Sequence, residues 1–182
     1  AGGVLYPDAD DRVGVAICLE LLQQNRDLLV VLTTEEEIGG IGAMALDQHI
    51  FDDIAYCLTF DRKGERDIVE NINGTRICSP EFAARVVRLT GRQLVEGMFA
   101  DPLVLASRVP NIVNLSCGYY LAHYEDSFII PQQVNAALVM GQRLLDKLPL
   151  DLPAEEFVVT KEEWDEERFG CLYPMAYSTQ LF

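Results

Sequence analysis

Apolar residues in this chain fall into short runs separated by acidic or glycine-rich stretches. Val13 to Leu22 (VGVAICLELL) is apolar nearly throughout, which predicts a largely buried helix opening just after Asp10 and Asp11. Leu28 to Thr34 (LLVVLTT) is short and rich in β-branched residues, the pattern of a central strand. Three glutamates follow, then GGIGAMALDQHI. Glycines after a strand allow a tight turn, and Ala43 to His49 then reads as a helix. Ile54 to Phe60 (IAYCLTF) predicts a second buried strand with Asp61 at its end. Asp67 to Ile77 holds Asn73-Gly74, a hairpin signal between two short strands. Pro80 to Leu89 is an amphipathic helix with proline near its first turn. Asp101 to Ser107 predicts a short helix and Asn111 to Cys117 (NIVNLSC) a strand. Gln132 to Leu148 predicts a long helix with an apolar stripe at 134, 137, 138, 141, 144, 145 and 148.

Strands alternating with helices predict an α/β protein, a three-layer α/β/α sandwich around a mostly parallel sheet. In such sheets ligands bind beyond the C-terminal strand ends, where the acids and the histidine of this chain fall. A length of 182 residues suits one sizeable domain, taken as residues 1–148. Composition shifts at Pro149. Residues 149–182 form an acidic, aromatic arm, with Trp164, Phe169, Tyr173 and Tyr177 suited to packing on the domain or on a partner subunit. There is no internal repeat and no low-complexity tract.

The formal charge of −15 argues against nucleic acid and anionic membranes as partners. No apolar run approaches the length of a membrane span. The opening AGGVLYPDADD lacks a basic stretch followed by an apolar one, so no secretory leader is expected. The five cysteines show no CxxC spacing and read as buried free thiols in a reducing, cytoplasmic setting. Asn73-Gly-Thr and Asn114-Leu-Ser match the glycosylation pattern and carry little weight without a secretion signal.

Candidate chemistry lies in four segments: DADDRVG (8–14), TTEEEIGG (33–40), TFDRKG (59–64) and CGYYLAHYED (117–126). Each has an ordinary reading. Asp10 and Asp11 would cap the following helix. Glu35, Glu36 and Glu37 would be a solvated charge run. Asp61 would pair with Arg62 or Lys63, and His123 would pack beside Tyr119, Tyr120 and Tyr124. Together they suggest more. Carboxylates beside buried strands repel one another and resist desolvation, and a divalent cation is the usual compensation.

Taken in order, ADDRVG, EEIG, a lone aspartate after a strand and a Gly-aromatic-aromatic-x-x-His segment resemble the motifs of the co-catalytic di-zinc peptidases. That group comprises the aminopeptidase and carboxypeptidase families related to tripeptidase, leucyl aminopeptidase and the tetrahedral aminopeptidases. The resemblance spans residues 9–145, with no lid domain inserted before His123, as in the lidless aminopeptidase branches. It implies a zinc exopeptidase-like fold, one or two zinc ions (cobalt or manganese as substitutes), short peptide substrates and homo-oligomeric assembly. It implies Asp10 as the carboxylate bridging two metals, joined by a cis peptide bond to Asp11, which completes the catalytic pair with Glu36. Glu36 would be the general base that takes a proton from the attacking water. Glu37 and His123 would ligate one metal and Asp61 the other. Asp101 resembles an aspartate that supports the site from behind.

One departure matters. The family has an HxD segment ahead of the paired aspartates, and nothing before Asp10 supplies its histidine; His49 falls where the family has no ligand. Two readings follow. The chain is the C-terminal part of a longer metal-dependent exopeptidase, its sheet then lacking strands and exposing an edge. Alternatively it is a catalytically impaired homologue that binds one metal or none and acts as a binding or assembly protein.

Overall fold

The computed structural model describes residues 4, 5, 9–25 and 27–150. From residue 151 onward the expected arm lies outside the described residues. The elements in chain order are β1 (Val4–Leu5), α1 (Ala9–Gln24), α2 (Ile41–Met44), a 3-10 turn (Gln48–Phe51), β2 (Cys57–Arg62), β3 (Asp67–Ile72), β4 (Thr75–Arg76), α3 (Pro80–Thr90), β5 (Gln93–Gly97), α4 (Asp101–Leu105), β6 (Ile112–Ser116), β7 (Tyr119–Tyr120), β8 (Phe128–Ile129) and α5 (Pro131–Lys147).

The α/β expectation holds. The central sheet runs β2-β6-β3-β4, with β5 paired on β3; β2–β6 and β3–β5 are parallel, β3–β6 and β3–β4 antiparallel. Side chains alternate across it and fill two apolar layers. Ile68 and Val113 point into one cluster with Ile17 and Leu21 of α1, Phe82 and Val86 of α3, and Ala137 and Leu144 of α5. Val69 and Ile112 point the other way, toward Ala43 of α2, Phe51, and Leu103 and Val104 of α4. Ile72 shares the face of Val69 despite odd spacing, because the β3–β5 register shifts between Val69 and Asn71. A small second sheet, β1-β8-β7, is antiparallel and carries a hairpin at its end.

Most elements lie where the periodicity puts them. Asn73 (φ 50°) and Gly74 (φ 83°) make the turn that needs positive φ at both central residues. Ser79 caps α3, its side chain accepting from the Phe82 N–H, and Gly91 ends it in the left-handed region. Three expectations fail. The helix over Val13 to Leu22 is not largely buried: Val13, Ile17 and Leu21 are, while Val15, Leu19 and Leu22 are exposed, because the described residues pack against one side of α1 alone. The helix expected over 43–49 splits into α2 and the 3-10 turn, because the Asp47 side chain accepts from the His49 N–H and caps a new start. Leu28 to Thr34 forms no strand. Among the described residues no backbone hydrogen bond reaches 28–33, so the run has strand composition without a paired neighbour. Strands β1, β5, β7 and β8 were not expected; all are short or lie in mixed polar sequence. Cys18, Cys57, Cys78 and Cys117 are free, as read from the sequence. Burial pushes the Cys18 thiol up to about 11 and those of Cys57 and Cys78 to about 12, which removes nucleophilic character. Among the described residues no helix is long and apolar enough to cross a membrane.

Candidate metal centre

Asp10 and Asp11 open α1 but are not helical: their backbone is at φ −89°, ψ 112° and φ −114°, ψ 46°, and their peptide bond is cis, as the family resemblance implies. Asp11 Oδ1 accepts from the Gly14 N–H at 2.9 Å. That is the capping role the bland reading assigned it, and it turns Asp11 back toward the sheet. Gly14 has no room for a side chain. A Cβ there would run into the Asp11 carboxylate and the Phe60 carbonyl, so glycine lets α1 lie against the end of β2.

Asp61 is held from below. The β2–β6 register shifts between Thr59 and Arg62, which interrupts the ladder at Asp61. The Asn114 side chain fills the gap: its Oδ1 accepts from the Asp61 N–H and its Nδ2 donates to the Asp61 carbonyl, both at 2.9 Å. Arg62 turns away to Asp67 at 3.1 Å, so the expected Asp61–Arg62 pair is not made. Asn114 is 3% exposed, which also removes it as a glycosylation acceptor in the folded chain. Sequence reasoning overlooked its role. The available signal was a polar residue inside the apolar run NIVNLSC. Replacing Asn114 with Ala leaves both Asp61 backbone groups without partners and is expected to destabilise the fold by about 1–3 kcal/mol. Urea unfolding measures this, and an unchanged midpoint contradicts the assigned role.

The glutamates sit on a turn fastened by its own backbone. The Glu36 carbonyl accepts from the Gly39 and Gly40 N–H groups at 3.0 and 2.9 Å, and the Glu35 carbonyl from the Ile41 N–H at 3.3 Å. Just before it, the Thr33 hydroxyl donates to Asp101 Oδ2, tying the turn to α4. Asp101 is thus joined to the glutamate loop and stands outside both candidate ligand groups. His123 sits in the β7–β8 loop, exposed and not packed among the tyrosines. The Ala9 N–H donates to the Ser127 hydroxyl at 3.4 Å and binds that loop to the start of α1. Glu35 (φ 61°) and His123 (φ 65°) both hold left-handed backbone, which costs a side-chain-bearing residue roughly 1–2 kcal/mol and gathers at functional sites.

These elements converge. His123 Nδ1 lies 3.3 Å from Glu37 Oε1 and 3.7 Å from Asp10 Oδ2. Two ligands of one tetrahedral zinc, each at roughly 2.1 Å, stand roughly 3.4 Å apart, so this spacing fits a shared ion. Asp10, Asp11 and Asp61 form a second group, again with ligand atoms within 4.8 Å of one another, and Asp10 belongs to both. The other histidine, His49, is exposed and pairs with Asp52 at 3.1 Å, in the 3-10 turn that follows α2. The second group is therefore all carboxylate among the described residues.

Crowding and burial leave their mark on these acids. Burial, then the charges of Asp10 and Glu36 against a lowering hydrogen bond from Gly14, raises Asp11 to about 8. Burial, then Asp11, Asp10 and Glu36, raises Asp61 to about 9. Burial, then Glu37, Asp101 and Asp10, raises Glu36 to about 7. The Tyr119 hydroxyl donates to Asp61 Oδ1 at 3.4 Å. Acids gathered in this way could hold a cation.

No protein-family model matches the chain, and no curated protein matches it in sequence. Solved structures do resemble it. An aminopeptidase from the archaeon Desulfurococcus kamchatkensis superposes with a TM-score of 0.64 at 17% identity, covering 87% of this chain and 53% of that one. PhTET1-12s, described as a dodecamer in its asymmetric unit, gives 0.60 at 18%, covering 80% and 51%. The TET aminopeptidase from Thaumarchaeota archaeon SCGC AB-539-E09 gives 0.56 at 16%, covering 82% and 53%. At such identities the likeness is one of fold, and the chain spans about half the length of each neighbour.

Proposed function

We propose that this chain carries the metal-binding centre of an aminopeptidase-like exopeptidase acting on short peptides. The observation that supports this most is the placing of Asp10 in two ligand groups at once, with Glu37 and His123 on one side and Asp11 and Asp61 on the other. Four separate segments of the chain meet there. The mixed nitrogen and oxygen donors suit zinc, with cobalt or manganese as substitutes. A divalent ion so held would supply Lewis-acid polarisation of the scissile carbonyl.

The remaining work falls to the side chains. Glu36 stands beside Glu37 but outside both ligand groups, on a turn fixed by its own carbonyl. Its carboxylate takes a proton from the attacking water as the water oxygen bonds to the carbonyl carbon. The C–N bond then breaks, and Glu36 passes that proton to the leaving amine. In the metal-free fold, burial, then the charges of Glu37, Asp101 and Asp10, raises Glu36 above the ordinary carboxylate range, so it holds a proton readily. Asp11 caps α1 and holds the Asp10 segment in place. Asp101 steadies the Glu36 turn through Thr33.

One observation favours a second reading. The group Asp10, Asp11 and Asp61 has no nitrogen donor among the described residues. A chain filling only the Asp10, Glu37 and His123 group would bind one ion and act as a binding or assembly protein. Metal analysis after gel filtration separates the two. Two tight ions per chain, with hydrolysis of di- and tripeptides, support the peptidase reading. One ion lost in His123→Ala, with no hydrolysis, supports the second.

A further inference from the structure

The turn from β6 into β7 brings a buried phenol to the candidate metal centre. Successive residues of a strand face opposite ways, and the two tyrosines of β7 do so. Tyr120 stacks on Phe128, ring centroids 5.1 Å apart, and its hydroxyl donates to Gln133 Oε1 at 2.7 Å. Tyr119 is 3% exposed, lies in the apolar cluster with α1, α3 and α5, and donates to Asp61 Oδ1 at 3.4 Å. Its backbone is fixed to the same place. The Tyr119 carbonyl accepts from the Gly64 N–H at 2.9 Å, and the Gly118 N–H donates to the Gly64 carbonyl at 2.8 Å. Pairing with Ile129 of β8 holds it from the other side. Gly64 closely follows Asp61 in the chain, so these bonds tie the phenol to the strand end that carries the carboxylate.

We propose that Tyr119 is a positioning residue for the Asp10, Asp11 and Asp61 group, its hydroxyl fixing how the Asp61 carboxylate is turned toward the ion. The inference rests on the reading of that group as a cation site. Asn114 pins the Asp61 backbone through both its N–H and its carbonyl, which sets where the side chain starts but not how it turns. A donor on one carboxylate oxygen removes that remaining freedom, and partners of this kind tune the affinity of the ligands they orient. A phenol suits the task. It is an uncharged donor at neutral pH, so it cancels none of the charge that draws the ion. A lysine or arginine in its place would compete with the ion for the carboxylate. The buried, two-torsion ring keeps the donor in one position and shields its bond from water.

Tyr119→Phe removes the hydroxyl and keeps the ring that packs in the core. Zinc titrated into the full chain against a competing chelator reads both ions, and His123→Ala identifies the one held by Asp10, Glu37 and His123. The expected result in Tyr119→Phe is an ion at Asp10, Asp11 and Asp61 bound about 10–100-fold more weakly, with the other ion's affinity unchanged. Retention of that other ion shows that the variant is folded. Tyr120→Phe makes the same deletion one residue along and should change neither affinity. Unchanged affinities in Tyr119→Phe overturn the proposal and leave the peptidase reading standing. Loss of both ions together, or equal weakening in Tyr120→Phe, assigns the hydroxyl to the fold of the loop and overturns it too. An unsubstituted chain that takes up fewer than two ions overturns the reading of the Asp10, Asp11 and Asp61 group, and the proposal with it.

Discussion

Replacing Glu36 with glutamine is expected to lower turnover of an aminoacyl-nitroanilide by about 10²–10⁴-fold, the range for loss of a positioned acid–base group. Metal content should not change. The amide keeps the size of the carboxyl but cannot accept a proton. Glu36 is outside both ligand groups, and its backbone carbonyl, not its side chain, fastens the turn through Gly39 and Gly40. The substitution therefore leaves the turn and the ligands in place. A variant with full turnover would remove Glu36 from the mechanism. A variant that loses metal along with turnover would make it a ligand instead.

Divalent metal is expected to stabilise the chain strongly at pH 8 and hardly at pH 4.5. Asp11, Asp61 and Glu36 are raised to about 8, 9 and 7 in the metal-free fold, chiefly by burial. Their ordinary values lie near 4, so between pH 4 and 9 the folded chain holds more protons than the unfolded one. Stability from these groups is full below pH 4 and is lost as pH rises through 7 to 9. A cation held by ionised Asp11 and Asp61, with its charge also felt at Glu36, opposes that loss. At a metal concentration one hundred times the dissociation constant, binding adds about 2.7 kcal/mol. For a domain of this size that is a melting shift of roughly 5–10 °C. Thermal melts with and without zinc at the two pH values give the comparison. An increment that shrinks as pH rises contradicts the assignment of Asp11 and Asp61 to a cation site.

The reach of the sequence differed from element to element for physical reasons. Helices α3 and α5 announce themselves because one apolar face, a proline start and, for α3, a serine cap and a closing glycine all agree. Asp10, Glu37 and Asp61 stood out as acids set against apolar runs, costly to bury unless something offsets them, and His123 through the resemblance its segment carries. What supports Asp61 did not stand out. Asn114 works through a register shift in the sheet, and register depends on which strands pair, a property no local pattern carries. Leu28 to Thr34 illustrates the converse. Its composition is that of a strand, but a strand needs a neighbour, and none of the described residues provides one. The split of the helix expected at 43–49 turned on one aspartate side chain competing for a backbone N–H.

Anomalous diffraction at the zinc edge, from crystals grown with zinc, measures the centre directly. A peak within about 2.0–2.2 Å of His123 Nδ1 and of oxygens from Asp10 and Glu37 is the expected result. A second peak touching Asp10 and Asp61 would complete the pair. Density at His49 alone, or at no point where Asp10 can reach it, would contradict a cation as the partner for which these acids are gathered.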